Sequence, residues 1–334
     1  MSLGPETSLH DESTPTADAA QERDTSEKAI AGRSLKQIAW RRLKKDRVAV
    51  GGGIVILVLI AIAILAPLLI KLLGHPFDEY HNDKIDPTLS LPLGKLGGIS
   101  KDFLLGVEPV NGRDIFSRIV YGAQTTLTVA FLSAFLSTIL GVLFGMSAGF
   151  LGGWVDSVIS RIMDFLLAFP QLLFSIALVS VLPQSMLGFN TRWSRTIVLI
   201  VVIGFFGWPY IGRIVRGQTL SLREREFVEA SRSLGARSPR ILFREMLPNL
   251  AAPILVYTTL IIPTNILTEA ALSFLGVGIP PPYPSWGGML SDALQFYRYD
   301  PMFMIIPGAM IFITVLAFNL FGDGLRDALD PKAR

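Results

Sequence analysis

Few side chains in this sequence could carry covalent chemistry, and none stands in a pattern that lets it. There is no cysteine among the 334 residues, which removes thiolate nucleophiles, thiolate metal ligands and disulfides together. His75 and His81 share one polar stretch, but a metal site needs further ligands, and two surface imidazoles explain the pair equally well. Gly145-Met-Ser-Ala-Gly149 spells G-x-S-x-G, a motif that works only on a strand–turn–helix. Here it lies in a long apolar run with no histidine near, so it is a chance match. No G-x-x-x-x-G-K-[ST] is present to cradle nucleotide phosphates. No cofactor is therefore expected on this chain. Asp164 and Glu269 remain, ionisable residues beside or within apolar runs. That placement is costly in lipid and marks a pathway or gate by default. The plainer alternatives are that Asp164 pairs with Arg161 one turn earlier, and that Glu269 lies at the outer boundary.

The elements that must position these residues are membrane helices. Hydrophobic residues make up 51% of the chain and charged residues 17%, against about a quarter charged in a soluble domain, and the mean hydropathy is +0.49. A membrane span needs about 20 apolar residues, and six uncharged runs qualify: Val48–Ile70, Ile119–Val155, Phe165–Thr191, a short one at Thr196–Gly212, Met246–Thr268 and Pro301–Gly322. The net charge of +3 does not point to nucleic acid, because the basic residues cluster between the apolar runs. Arg33 to Arg47 carries seven Lys or Arg against one acid, and the loop 216–248 seven against four. Short basic loops stay cytoplasmic, so both termini are expected inside, with 74–118, 183–195 and 277–300 facing outward. Residues 1–33, rich in Ser, Thr, Asp, Glu and Ala, read as a disordered cytoplasmic tail. A basic interfacial helix over 34–47 follows, then a first span over 48–73 and an extracytoplasmic segment over 74–118. The core over 119–321 holds five spans and the loop 216–248, and 322–334 is a cytoplasmic tail. Val48–Ile70 exceeds a signal-peptide core in length and is expected to stay as an anchor.

Within the spans, Ser133, Ser137, Gly141, Gly145 and Gly149 recur every four residues, a ridge that lets a second helix approach closely. Pro67, Pro170, Pro209, Pro263 and Pro307 predict kinks. In the loop 216–248, Ser221-Leu-Arg-Glu224 reads as a capping box opening a helix of about 13 residues through Leu234. Gly235 is its left-handed stop, and Ser238-Pro239 restarts the chain as N-cap and first helical residue. Phe227, Val228, Ala230 and Leu234 form an apolar stripe among Arg and Glu, which needs something to bury it. The plain alternative is a positive-inside loop packed on its own spans, with Arg223, Arg225 and Arg232 as a solvated face.

The residues Glu229-Ala-Ser and Gly235, with Leu247-Pro248 beyond, resemble the Glu-Ala-Ala loop of ABC importer permeases, departing at Ser231 and Glu245. Residues 35–334 resemble, more narrowly, the second permease subunit of dipeptide, oligopeptide and nickel importers. Trp40–Arg47, Asn111–Arg118 with Tyr121-Gly122, Ile162–Pro170, Glu269–Gly276, Pro284–Gly287 and Phe321–Pro331 carry this likeness, and Leu105–Gly112 departs from it. The resemblance implies an all-α type I importer permease fold in the cytoplasmic membrane of a prokaryote. It implies a homologous second permease subunit, cytoplasmic ATPases that bind the ATP, an extracytoplasmic binding protein, surrounding membrane lipid, and a peptide or nickel-chelate substrate moved through the helix bundle. Glu229, Ala230 and Gly235 would then serve ATPase contact and loop geometry, with Phe227 and Leu234 as anchors. A channel or secondary transporter would also need six kinked spans, but neither mid-membrane charges nor internal repeats are evident. A membrane enzyme would need a nucleophile–base pair or metal cluster, and none is found.

Overall fold

The structure is a computed structural model that describes residues 35–182 and 191–329. The expected tail at 1–33, residues 183–190 of one outward segment, and 330–334 lie outside the described residues. Among the described residues there is no β-strand, only two isolated bridges in the outer segment, Ile85 with Pro92 and Val107 with Asp114.

The first span is preceded by α1 (Leu35–Lys45) and built from α2 (Arg47–Ile64) and α3 (Ala66–Leu73). Asp46 starts α2 as its N-cap, accepting from the amides of Val48 and Ala49. The expected continuous run Val48–Ile70 is broken at Leu65. Pro67 cannot donate to a carbonyl four residues back, so it stands in the first turn of a new helix instead.

Asp114, whose side chain accepts from Phe116 N, opens α4 (Ile115–Leu151), a helix of 37 residues. Gly152 then turns the chain with φ +66° into α5 (Gly153–Ala168), and α6 (Gln171–Val181) follows at an angle of 87° to α5. The expected third span Phe165–Thr191 is thus a bent pair that begins earlier. Phe169 is extended and Pro170 supplies no amide for a continuing ladder. The short fourth run grows into α7 (Thr191–Arg223), 33 residues with Pro209 inside. Arg192 and Arg195 at one end and Arg213 and Arg216 at the other are helical, so the helix is longer than its uncharged run.

Beyond α8 (Glu226–Ser233), α9 (Ser238–Phe274) rises out of the loop without a break and includes a wider π-type stretch over Ile241–Met246. The short α10 (Trp286–Ala293) and the last span α11 (Pro301–Leu329) complete the chain. Among the described residues, five helices are long and apolar enough to cross a membrane, and the bent pair makes up to six spans.

Two packing arrangements hold the bundle. Along α4 the small-residue ridge meets α7 at backbone distance. A Cβ placed on Gly141 would lie 2.8 Å from Ile211 Cβ, and one on Gly149 2.8 Å from Arg216 O. Ser137 Oγ donates to Gly204 O at 2.8 Å. In lipid, where no hydrophobic force drives helices together, such close contact supplies the dispersion energy of association. At the other side, α2, α4, α9, α10 and α11 share a core that includes Ile119, Ile266, Met289, Phe303 and Phe318 around the fully buried Trp286. The indole Nε1–H of Trp286 donates to Ile119 O at 3.0 Å, so the ring is buried without an orphaned donor.

Candidate functional site

The loop between α7 and α9 is built differently from its sequence signature. Ser221 lies inside α7, which runs on to Arg223, and therefore cannot cap a new helix. The chain breaks at Glu224 and restarts from Arg225, whose extended backbone caps α8 without a side-chain bond. The helix has 8 residues rather than about 13. Its end follows the expected chemistry: Gly235 has φ +77°, Gly235 N donates to Arg232 O at 2.9 Å, and Ala236 N donates to Ser231 O at 3.0 Å. This is a Schellman closure, which needs the left-handed residue. The restart falls one residue earlier than expected, with Arg237 as the cap and Ser238 already helical.

The expected apolar stripe splits over two faces, because positions 227, 230 and 234 follow the helical period and 228 lies a third of a turn away. Val228 is fully buried among Phe150, Val215, Ile241, Leu242 and Met246, and Phe227 packs at the edge of that cluster. The guanidinium of Arg232 stands over the Phe150 ring at 5.1 Å. Glu229, Ala230 and Leu234 point away, and Leu234 is 88% exposed. Within this chain Leu234 is therefore not a buried anchor, and Val228 holds α8 to the bundle.

Above the loop, α5 is clamped to α7 by charge. Asp156 receives Arg216 bidentately, with Nη2 to Oδ2 at 2.7 Å, and Ser160 Oγ also donates to it at 3.1 Å. Asp164 pairs with Arg213 at 2.7 Å rather than with Arg161, because the neighbouring helix offers a cation to the same face. Arg223 Nη1 donates to Gly149 O at 3.3 Å, which closes the end of α4. The ridge residues Ser137, Gly141, Gly145 and Gly149 thus lie on the same α4–α7 seam that leads down to the loop.

Glu269 is 0% exposed and lies between α4, α9 and α10. Ser273 Oγ donates to its Oε1 at 2.7 Å, and the hydroxyls of Thr126 and Ser285 face the same carboxyl. Ser285 also caps α10 by accepting from Gly288 N at 3.2 Å. Asp164 and Glu269 are therefore not brought together: one is half exposed on α5, the other sealed inside the bundle.

The outer segment contributes a network that no sequence motif marks. Glu108, 2% exposed, binds Arg113 and also Arg118 at 3.0 Å, and Arg118 reaches Pro282 O at 3.2 Å. Two guanidiniums on one buried carboxylate compensate its burial. Asp114 accepts from His75 N, Phe116 N and Ser117 Oγ. Only the spacing Arg113-Asp114 and Arg118 was visible beforehand; the acid that joins them was hidden in the segment that departs from the resembling family. His75 and His81 pack around Phe103, with ring centroids at 4.5 and 4.9 Å. Among the described residues no group of three or more His, Cys, Asp or Glu is placed to hold a metal. At the outer end of α11, Asp300 is buried, and burial raises its carboxyl above the usual range against the amides of Met302 and Phe303.

A bundle of long apolar helices carrying an exposed helical loop between two of its spans is the architecture of an α-helical membrane protein. Residues 141–334 match the family model described as binding-protein-dependent transport system inner membrane component, and residues 34–92 match the N-terminal TM domain of oligopeptide transport permease C. The chain belongs to this family of ABC importer permeases of the bacterial inner membrane. It is similar to the dipeptide transport system permease protein DppC of Alkalihalophilus pseudofirmus, with 42% identity over 89% of this chain and 90% of that one. It is also similar to the glutathione transport system permease protein GsiD of Pectobacterium atrosepticum, with 40% identity over 88% of this chain and 90% of that one. Among solved structures, an inward-facing form of the MetNI methionine ABC transporter aligns with 65% of this chain and 98% of its own at a TM-score of 0.50 and 21% identity. That likeness concerns the fold alone.

Proposed function

We propose that this chain is one half of a heterodimeric permease that passes di- or oligopeptides into the cytoplasm, driven by ATPase subunits that dock on the loop around α8. The substrate reading rests on the 42% identity to a dipeptide permease along nearly the whole chain; glutathione, the substrate in the second relative's name, is itself a small peptide. The docking reading rests on α8, whose inner face is fixed by Val228 and whose outer face offers Glu229, Ala230 and the exposed Leu234. The ATPase subunit in this reading covers the exposed Leu234 and its charged neighbours. In this reading both termini are cytoplasmic, a binding protein delivers peptide to the outer face, and ATP is bound by the partners. Movement of α8 reaches the bundle through Phe150 and Ile241, biasing two global states as coupling between sites requires.

Co-purification with the ATPase and second permease subunits, followed by peptide uptake in proteoliposomes, tests it. Glu229→Lys and Leu234→Asp should insert normally yet lose ATPase association and uptake. Unchanged association and uptake in both, or full transport by this chain alone, would refute the docking reading. Competition by peptides of graded length in cells lacking this chain tests the substrate reading, which fails if no peptide competes.

A further inference from the structure

The basic face of α1, with the first residue of α2, has the exposure, charge and position of a site that binds one class of ligand. Leu43 is buried against Ala49 and Ala328, with Phe321 and Leu325 beside them, so α1 is pinned to the last turns of α11 and joined to α2 by Asp46 alone. It therefore sits where two spans leave the membrane. Turned away from that contact are Arg41, Lys44, Lys45 and Arg47, all exposed, and Trp40, which is 60% exposed. The one acid in this stretch, Asp46, is turned to the amides of Val48 and Ala49 at 2.9 and 3.1 Å, and one carboxylate beside four exposed cations leaves the face net positive. None of the four cations has an ion-pair partner among the described residues; Arg42 has contacts of its own. Lys44 Nζ lies 5.1 Å from the centre of the Trp40 ring, which places an interfacial aromatic and a cation side by side.

We infer that this face is a docking surface for anionic phospholipid headgroups, with Trp40 at headgroup depth and Arg41, Lys44, Lys45 and Arg47 on the phosphates. Trp is enriched at the membrane–water boundary because its ring is apolar and its N–H is polar. Clusters of four or more Lys and Arg next to a span attract anionic lipid within a Debye length of the surface. The inference rests on the membrane placement of α1 and not on the identity of the substrate.

The experiment uses the whole transport complex in nanodiscs of phosphatidylcholine, with or without phosphatidylglycerol, either lipid carrying brominated chains. The Trp40 emission is isolated by subtracting a Trp40→Phe complex. Brominated phosphatidylglycerol should quench Trp40 several-fold more than brominated phosphatidylcholine, and added salt should erase the difference. In Arg41→Glu/Lys44→Glu/Lys45→Glu the preference should vanish while quenching by phosphatidylcholine persists; the milder Lys44→Gln/Lys45→Gln should reduce it if the triple variant does not assemble. Equal quenching by both lipids in the native chain, quenching by neither, or shielding of Trp40 only when ATPase subunits are bound would each overturn the inference. Peptide uptake by the same complexes in proteoliposomes reads the permease assignment separately, so loss of lipid preference with uptake intact leaves that assignment standing.

Discussion

Asp156 and Arg216 meet across the groove between α5 and α7 as a two-pronged pair, Nη2 to Oδ2 at 2.7 Å and Nε to Oδ1 beside it. A second pair, Asp164 with Arg213, lies two turns along the same groove. Together they hold a half-span that is bent by 87° from its continuation.

Separating the first pair should loosen α5. Asp156→Arg or Arg216→Asp alone places like charges face to face, while the double exchange restores attraction. The pair is partly exposed, so about 1 kcal/mol is at stake, or ~2–4 °C in Tm. Thermal unfolding in detergent should show the single variants lower and the double variant recovered. A double variant no more stable than the singles would show that the pair contributes through packing instead.

Gly145 has no room for a side chain. Its Cβ would lie 2.5 Å from Gly212 O and 3.0 Å from Val215 Cβ, so Gly145→Val forces α4 and α7 apart at a cost of about 1–3 kcal/mol. The neighbouring helix supplies a control: Gly217 has nothing within 4 Å. The yield of monodisperse protein after extraction should fall sharply for Gly145→Val and hold for Gly217→Val.

Val228 and Leu234 should separate stability from association. Val228→Ala opens a cavity under α8 and should lower stability by about 2 kcal/mol, read as faster proteolysis of the loop. Leu234→Ala removes an exposed side chain and should leave proteolysis unchanged while weakening capture of ATPase subunits. The opposite pattern would mean that α8 turns over when the complex forms.

Asp300 should make the outer end pH-sensitive. Its folded-state carboxyl is raised by burial, so folding favours the protonated form. Stability is then fully present below the unfolded value near 3.8 and declines as pH rises through the higher folded value. Asp300→Asn keeps the size of the side chain and cannot ionise. Between acid and neutral pH the Tm of the native chain should fall relative to that of Asp300→Asn; parallel curves would contradict the assignment.

The spans were legible because apolar length is a physical requirement of the bilayer, and no tertiary contact can replace it. Their ends were less so. Arg192, Arg195, Arg213 and Arg216 interrupt the uncharged text of α7, but each finds a carbonyl, an aromatic face, an amide or a carboxylate in the fold, so the helix runs through them. The capping box at Ser221 failed for the converse reason: local chemistry permits a helix start there, but α7 already occupies the residue. The left-handed glycine at 235 was readable because a positive φ is a backbone property that few residues tolerate. Which face of α8 is buried was not readable, since Val228 and Leu234 are equally apolar and only Phe150 and Ile241, distant in sequence, distinguish them. Arg213, which pairs with Asp164, and Thr126 and Ser285, which face Glu269, are hidden likewise, because they lie on other elements; only Ser273, one turn on from Glu269, is its neighbour in sequence.

The glycine seam between α4 and α7 also constrains how this protein can move. Where two backbones touch directly there is no layer of side chains to slide or repack, so the two helices behave as a single stiff beam. Alternation of access would then fall on breaks in the helices among the described residues, including Leu65 in the first span, Gly152 between α4 and α5, Phe169–Pro170 in the bent pair, and Glu224–Arg225 at the foot of the beam. A lever pushed at α8 would swing that beam whole.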